Sequence, residues 1–155
     1  MGEETYRVAL MSLHPVYANA ILEGQKTVEF RKRPLADDVR HVVMYATKPV
    51  AQVVGVFQIA SQDSVDPLSA WLRFGAMGAI EQDAFFRYFE GTEYAVAIGV
   101  TDVVPLQRGV PLEETTGVKR PPQSFQYLGE GPAVLSALGV KAPLRLARDF
   151  SPQSR

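Results

Sequence analysis

Segments of apolar residues in strand-like alternation constrain this chain more than any other feature, because they recur along most of its length. They cover residues 6–13 (YRVALMSL), 41–47 (HVVMYAT), 51–60 (AQVVGVFQIA) and 93–106 (EYAVAIGVTDVVPL), and a shorter one, KTVEFRK, covers 26–32. Such alternation is typical of strands that place one face against a core. The sequence therefore predicts five strands.

Short helical segments are inserted between these strands. Pro15 suits the first position of a helix that ends near Gly24, and Asp66 followed by Pro67 suits the start of a second helix. Further helices are predicted at residues 81–91 and 131–139. Residues 107–128 are interpreted mainly as loop, with one short helix after Pro111. Strands with helices inserted among them favour the α+β class over a regular parallel sheet.

Glycines inside two predicted strands refine this fold class. Gly55 and Gly99 interrupt apolar segments, and glycine within a strand often marks a bulge or a sharp bend. We therefore expect a small, strongly bent, mostly antiparallel sheet that closes into a β-barrel, with short inserted helices. No linker divides the chain, so we expect one domain over residues 1–150 and a frayed tail at 151–155.

Composition excludes several kinds of site. The chain has 155 residues, no cysteine and a formal net charge of −1. Disulfides, thiolate catalysis and cysteine-ligated zinc are therefore excluded. His14 and His41 have no acidic or histidine neighbour at a familiar ligand spacing, so we expect neither a metal nor a cofactor. Because positive and negative charges nearly balance, a site for a polyanion must be a local patch.

The amino-terminal sequence predicts where the protein resides. MGEETYRVAL lacks the basic segment and apolar run of a secretory signal. No apolar stretch in the chain approaches the roughly 20 residues that a membrane-spanning helix needs. We therefore expect a cytoplasmic protein without a membrane partner.

A short charged strand, GQKTVEFRKR at residues 24–33, raises the main functional question. Strand alternation places Val28 and Phe30 on one face and Glu29, Arg31 and Arg33 on the other. The second face is interpreted either as a solvated surface, whose ion pairs contribute about 0–1 kcal/mol each, or as the wall of a ligand pocket. Periodicity alone leaves both interpretations open.

Several segments resemble one known family. SLHPVYANAILEGQKTVEFRKRP, followed by MYATKPVAQVVGVF, resembles the activating signal cointegrator homology (ASCH) domain of the PUA-like superfamily. The family signature, Gly-x-Lys-x-x-Glu-x-Arg, is matched at Gly24, Lys26, Glu29 and Arg31. YFEGTEYAVAIGV and RPPQSFQYL further resemble the bacterial branch described as PUA-like transcriptional regulators.

The resemblance implies a β-barrel with a cleft beside its first helix, into which the signature Lys26, Glu29 and Arg31 face. It also implies a ligand, since family members bind RNA or modified nucleotides. Some members are small hydrolases that act on acylated cytidine, and others are nucleases. In the cytidine-hydrolase branch a hydroxyl residue occupies the position of Glu29, so this chain departs from that branch there.

Eight residues are predicted to contact the ligand. They are Lys26, Glu29, Arg31, Tyr45, Lys48, Arg120, Gln123 and Ser124. The long cations suit phosphate or a base edge, a carboxylate between them can hold the cations or accept from a base amino group, and an exposed tyrosine suits stacking. The two prolines of RPPQSFQYL stiffen the loop that carries the last three residues of this set.

The leading functional interpretation is a binding domain for RNA or a modified nucleotide, possessing a regulatory role. An enzyme remains the alternative, either an amidohydrolase of acylated cytidine or a metal-independent ribonuclease; a protein-interaction domain is a third. The candidates for catalysis are Lys26, Glu29, Tyr45, Lys48 and Ser124, with Glu81 as a less secure acid. Because a carboxylate raises the pKa of a neighbouring lysine, we expect Lys26 to stay protonated near pH 7 and to act as an anchor.

Overall fold

Six strands and several short helices make up the part of the chain that the structure, a computed structural model, describes. Those residues are 6–129 and 131–140. The last residues of the predicted domain, 141–150, and the predicted tail, 151–155, lie outside them. The strands are β1 (Arg7–Leu13), β2 (Val28–Arg31), β3 (Val39–Ala46), β4 (Gln52–Val65), β5 (Ala95–Val110) and β6 (Phe125–Leu128). The helices are α1 (Pro15–Leu22), α2 (Pro67–Phe74), α3 (Gln82–Tyr88), α4 (Leu112–Thr116) and α5 (Gly131–Ala137), and a 3-10 turn covers Gly75–Met77.

The helices begin where the sequence predicts. Pro15 occupies the first turn of α1, where its missing N–H leaves no hydrogen bond unmade. Asp66 caps α2, because its carboxylate accepts a hydrogen bond from the Ser69 amide at 3.0 Å. Gly24, just beyond α1, has a φ of +85°, a left-handed conformation that glycine adopts without steric cost.

All six strands belong to one sheet in the order β2-β5-β4-β3-β1-β6. Only β1 and β3 run parallel, and the other four neighbouring pairs are antiparallel. The register of β4 against β5 shifts at three places, one of them at Gly55. These irregularities bend the long strands, as the glycines in the sequence predict. The α+β class with a mostly antiparallel sheet is therefore confirmed.

Two details of the expected fold are corrected. The sheet is not closed into a barrel: β2 and β6 are its edges, and no ladder joins them among the described residues. The second correction concerns β6, which occupies a segment predicted as loop and pairs antiparallel with β1. Phe125 to Leu128 is only four residues long, and its pairing partner lies more than a hundred residues earlier, so no local pattern identifies it as a strand.

Three apolar clusters stabilise the sheet. One lies on the inner face and includes Met11, Val42, Phe57 and Ile98. A second, around Leu10 and Val43, lies on the other face beneath α4 and α5. A third packs α2 and α3 against β2 and β5 through Phe30, Phe85 and Phe89. Strand β2 therefore contributes one face to the third cluster and turns its other face towards the first.

Candidate functional site

The charged face of β2 is buried. Lys26, Glu29 and Arg31 have relative exposures of 3%, 6% and 7%. Glu29 lies between the two cations, with its carboxylate oxygens 3.4 Å from Lys26 Nζ and 2.9 Å from Arg31 Nε. Buried charges persist where they are paired and hydrogen-bonded. The solvated-surface interpretation of this strand is therefore wrong, and the three residues form a buried ionic triad.

Arg31 extends from β2 to the other end of the sheet order. Its Nη2 donates to the carbonyl oxygen of Ser12 on β1 at 2.8 Å, and its Nη1 donates to the hydroxyl oxygen of Ser124 at 3.0 Å. Ser124 immediately precedes β6, and its carbonyl oxygen accepts from the Ser12 amide. One guanidinium thus connects three segments of the site, a task that suits its planar set of donors.

Lys26 is held from a different direction. Its ammonium donates to the carbonyl oxygen of Gly78, just after the 3-10 turn, and lies over the rings of Tyr17 and Phe30. Burial lowers the pKa of Lys26 below its ordinary value, although the charge of Glu29 and a hydrogen bond to it act in the opposite direction. The expectation that Glu29 would decide the direction of this shift is therefore wrong, because desolvation outweighs it. Protonation of Lys26 near pH 7 stays a prediction.

A cavity of about 410 Å³ opens above the triad. It is lined by Ser12, Leu13, His14, Tyr17, Lys26, Glu29, Phe30, Arg31, Thr47, Ile80, Ala84, Tyr88, Phe89, Gln123 and Ser124. Glu29 and Arg31 come from β2 and Lys26 from just before it, whereas much of the apolar and aromatic wall comes from α1, α3 and the residues next to them. Ile80, Ala84 and Tyr88 are spaced four residues apart, so one face of α3 and the residues before it forms that wall.

Five of the eight predicted ligand residues line this cavity. They are Lys26, Glu29, Arg31, Gln123 and Ser124. Gln123 is exposed, whereas Ser124 is half-buried and bonded to Arg31. The loop stiffened by two prolines therefore lines the same cavity as β2.

The structure places the remaining candidates elsewhere. Tyr45 is 7% exposed and packs in the second apolar cluster beside Val43 and Val53. Lys48 and Arg120 are exposed on turns and do not line the cavity. Glu81 is exposed at the start of α3, where it makes no side-chain cap. Tyr45 is therefore a packed residue rather than an exposed stacking surface.

Tyr45 is nevertheless close to the site in the sheet. It is the register partner of Ser12 in the parallel β1–β3 pair, and partners in a ladder project to the same face. On the other side of Ser12 the ladder continues to Ser124 through a backbone hydrogen bond of 3.0 Å. Three hydroxyl-bearing residues, Ser124, Ser12 and Tyr45, therefore occupy neighbouring positions on three adjacent segments.

Sequence reasoning missed several lining residues. Ser12 donates its hydroxyl to the Pro122 carbonyl at 2.7 Å and so fixes the proline loop. His14 and Tyr17 form an edge-to-face pair at the start of α1, and Tyr88 lies 41% exposed on α3. Their position in SLHPVY, at the start of the segment that resembles the family, is the available signal for His14 and Tyr17. No local signal identifies Tyr88, because the helix that carries it reaches the site only through tertiary packing.

Metal-binding clusters and membrane-spanning helices are both absent from residues 6–129 and 131–140. No group of three or more histidine, aspartate or glutamate side chains there is arranged to hold a metal ion. Among the same residues, no helix is long and apolar enough to cross a membrane.

Solved structures share this architecture. The structure superimposes on the ASCH protein of Zymomonas mobilis with a TM-score of 0.75 at 33% identity, over 85% of this chain and 93% of that one. A serine-to-alanine variant of that protein gives a TM-score of 0.76 at 34% identity, over 85% of this chain and 94% of the variant. A tyrosine-to-phenylalanine variant gives 0.75 at 33%, over 85% and 96%.

Sequence comparison gives the same relationship. An ASCH domain-containing ribonuclease of Zymomonas mobilis is 36% identical over 124 residues, 77% of this chain and 83% of that protein. A large ribosomal subunit protein uL22 of Ureaplasma parvum is 28% identical over 127 residues, 81% of this chain but 40% of that protein. The ASCH domain family model matches residues 11–104, and the chain therefore belongs to the ASCH domain family.

Proposed function

We propose that this ASCH domain binds single-stranded RNA and takes one nucleoside into the cavity above the triad. The observation that carries the proposal is the combination, in one cavity, of a buried ionic floor and an aromatic wall. Binding sites for small ligands are largely apolar with a few well-placed polar groups. A volume of about 410 Å³ lies near the lower end of the range for such sites, which suits one nucleoside rather than a longer segment.

The wall supplies stacking. Tyr17 and Tyr88 flank the cavity from α1 and α3, and Phe30 contributes a ring from β2. Stacking of a base on an aromatic side chain contributes about 1–3 kcal/mol and tolerates any base, because every base has a π face. The sequence-based choice of Tyr45 for this role is replaced by Tyr88, which is 41% exposed where Tyr45 is 7% exposed.

The floor and the proline loop supply polar recognition. Glu29 presents acceptor oxygens, Gln123 presents both a donor and an acceptor, and Ser124 presents a hydroxyl. These groups match the Watson–Crick edge of an unstacked base, which is how proteins read single-stranded RNA. The triad is already internally paired, so its residues are fixed before a ligand arrives.

Tyr88→Ala tests this proposal against Tyr94→Ala as a matched control. Tyr94 is 54% exposed and does not line the cavity. The measurement is fluorescence anisotropy with a labelled 2′-O-methyl RNA oligonucleotide, which resists cleavage through its blocked 2′ oxygens. We expect Kd to rise about tenfold or more for Tyr88→Ala, from the loss of one stack, and to stay unchanged for Tyr94→Ala. Equal affinities for both variants and the unaltered protein would count against the proposal.

We propose RNA cleavage as a second candidate function at the same cavity. It is favoured by the 36% identical relative, whose name describes a ribonuclease, and by the Ser124 hydroxyl that Arg31 holds at 3.0 Å. In such a reaction the 2′ oxygen attacks phosphorus, the bond to the 5′ oxygen breaks, and the 2′ proton is transferred to the leaving oxygen. In this proposal the Ser124 hydroxyl, which accepts a hydrogen bond from Arg31, donates its own proton to a phosphoryl oxygen as negative charge develops there.

Short unmodified RNA tests the second candidate. We expect cleavage by the unaltered protein in the presence of a chelator, a loss of at least about tenfold in Ser124→Ala, and no cleavage of the 2′-O-methyl oligonucleotide. Tyr45→Phe and Lys48→Ala apply the same assay to two further candidates for catalysis. An unaltered protein that binds RNA and never cuts it would leave the binding function as the better description.

A further inference from the structure

Two consecutive cations beyond the end of β2 lie on opposite sides of the cavity mouth. The ammonium of Lys32 is 4.7 Å from the centre of the Tyr88 ring, and Tyr88 lines the cavity on α3. The guanidinium carbon of Arg33 is 5.3 Å from the centre of the Phe125 ring, next to the lining residue Ser124. The chain bends at these two residues, and the two cations contact rings on different elements, α3 and β6.

Unlike the cations of the triad, these two cations are exposed and can contact a phosphate. Lys32 and Arg33 are both exposed, and neither belongs to any of the ion pairs found among residues 6–129 and 131–140. Lys26 and Arg31 are buried, and their donors are directed to Glu29 and to backbone or hydroxyl oxygens. Their charge is largely compensated inside the protein, so they do not replace counterions on a nucleic acid.

We propose that Lys32 and Arg33 form a phosphate-binding rim for the single strand whose nucleoside enters the cavity. This deepens the proposed function and rests on it. A nucleoside held between α1 and α3 has a phosphate on each side, and the strand must leave the cavity over its mouth. The Tyr88 and Phe125 rings hold the cations where those phosphates pass, and the ring faces reduce the cost of fixing two long side chains.

The rim makes a quantitative claim about salt. Each cation that neutralises a phosphate of a single strand adds about 0.7 to the slope of log Kd against log salt concentration. We assign that contribution to Lys32 and Arg33 rather than to the buried Lys26 and Arg31. Between about 50 mM and 1 M the salt concentration changes by about 1.3 decades. At about 0.7 per decade, loss of one contact therefore raises Kd at 50 mM by a little under tenfold, relative to the value at 1 M.

The experiment is a titration of labelled 2′-O-methyl RNA at several salt concentrations. The variants are Lys32→Gln, Arg33→Gln and the double variant, each of which removes charge and keeps a long polar chain. Arg108→Gln is the matched control, because Arg108 is exposed on β5 and lies away from the cavity. We expect the slope to fall by about 0.7 in each single variant and by about 1.4 in the double variant, with no change in the control.

Each outcome decides the matter. An unchanged slope in the double variant, with RNA bound normally by the unaltered protein, would overturn the rim and leave the proposed function intact. An equal fall in Arg108→Gln would also overturn it, since the effect would then reflect overall charge. Absence of RNA binding by the unaltered protein at the lowest salt would overturn the rim together with the proposed function. Far-ultraviolet circular dichroism verifies that every variant is folded.

Discussion

Arg31 Nη2 lies 2.8 Å from the carbonyl oxygen of Ser12, and this hydrogen bond joins two strands that share no ladder. Strand β2 is one edge of the sheet, and β1 lies next to the other edge. A side chain therefore makes the connection that backbone hydrogen bonds would make in a closed barrel. The same guanidinium also bonds Glu29 and Ser124. One residue therefore both links the two sides of the open sheet and fixes the floor of the cavity.

Replacement of Arg31 by lysine is the direct test of this connection. A lysine keeps the charge and loses the planar arrangement of donors that reaches three partners at once. We expect Arg31→Lys to lower the free energy of unfolding by about 3 kcal/mol, because an ammonium cannot bond all three partners and each buried acceptor left without a donor costs about 1–3 kcal/mol. Urea denaturation measures it. Arg33→Lys, at an exposed position, should change stability by less than about 0.5 kcal/mol; equal effects would contradict the assignment.

Glu29 is the only acid in the triad, so its removal should cost more than removal of either cation's charge. We expect Glu29→Gln to destabilise the protein by about 3–5 kcal/mol, since two buried cations then face each other. Combining it with Lys26→Met should cost less than the sum of the single effects, because the second change removes a charge that the first left unpaired. Glu23→Gln, at an exposed position just after α1, is the control; strictly additive effects would show that the triad is not coupled.

The lowered pKa of Lys26 gives stability a dependence on pH. Between its folded pKa and the unfolded value of about 10.4, the unfolded chain binds more protons, so stability rises with pH. We therefore expect the unaltered protein to gain stability relative to Lys26→Met as pH rises from neutral towards that value. Unfolding in urea across this range measures the difference, and Lys32→Met controls for the loss of an exposed lysine. A difference that stays constant with pH would contradict the prediction.

His41 predicts a second dependence, in acid. It is 5% exposed, and burial lowers its pKa below the ordinary value, opposed by the charge of Asp102. As pH falls below about 6.5, the unfolded chain binds a proton more readily, so stability falls. We expect this loss to be smaller in His41→Gln, because the variant has no imidazole whose protonation burial opposes. The chain has two histidines, so two resonances in an NMR titration would give the direction of the shift directly.

Lys26 also distinguishes binding from amide hydrolysis. Its ammonium is bonded to the Gly78 carbonyl and paired with Glu29, which leaves it poorly placed to attack a carbonyl group. We expect no turnover of acylated cytidine by the unaltered protein, whereas Lys26→Ala should weaken RNA binding. Chromatographic separation of acylated and free cytidine measures hydrolysis. Robust turnover that Lys26→Ala abolishes would establish the amidohydrolase instead.

Local sequence patterns predicted many of the helices and strands of this structure. The first helix, the α2 cap at Asp66 and the long strands follow from proline, capping and alternation signals that act within a few residues. The signature residues Lys26, Glu29 and Arg31, chosen from the sequence as a group, line one cavity.

Other features depend on contacts between distant parts of the chain. Burial of the triad was not predictable from strand alternation, because α1, α3 and the proline loop cover a face that is polar in sequence. Strand β6 and the cavity residue Tyr88 are positioned by partners far away in the chain. The net direction of the Lys26 pKa shift likewise required the extent of burial, since the neighbouring carboxylate acts in the opposite sense.

The absence of a side chain at Gly78 affects the width of the cavity. The Gly78 carbonyl oxygen accepts a hydrogen bond from the Lys26 ammonium, and the neighbouring Met77 carbonyl oxygen accepts one from the Thr27 amide. These two hydrogen bonds fix the segment before α3 relative to the residues before β2. A Cβ at position 78 would overlap the Phe30 ring and would push the wall outwards. The width of the cavity therefore depends on a residue that does not line it, and a specificity survey confined to the lining residues would overlook it.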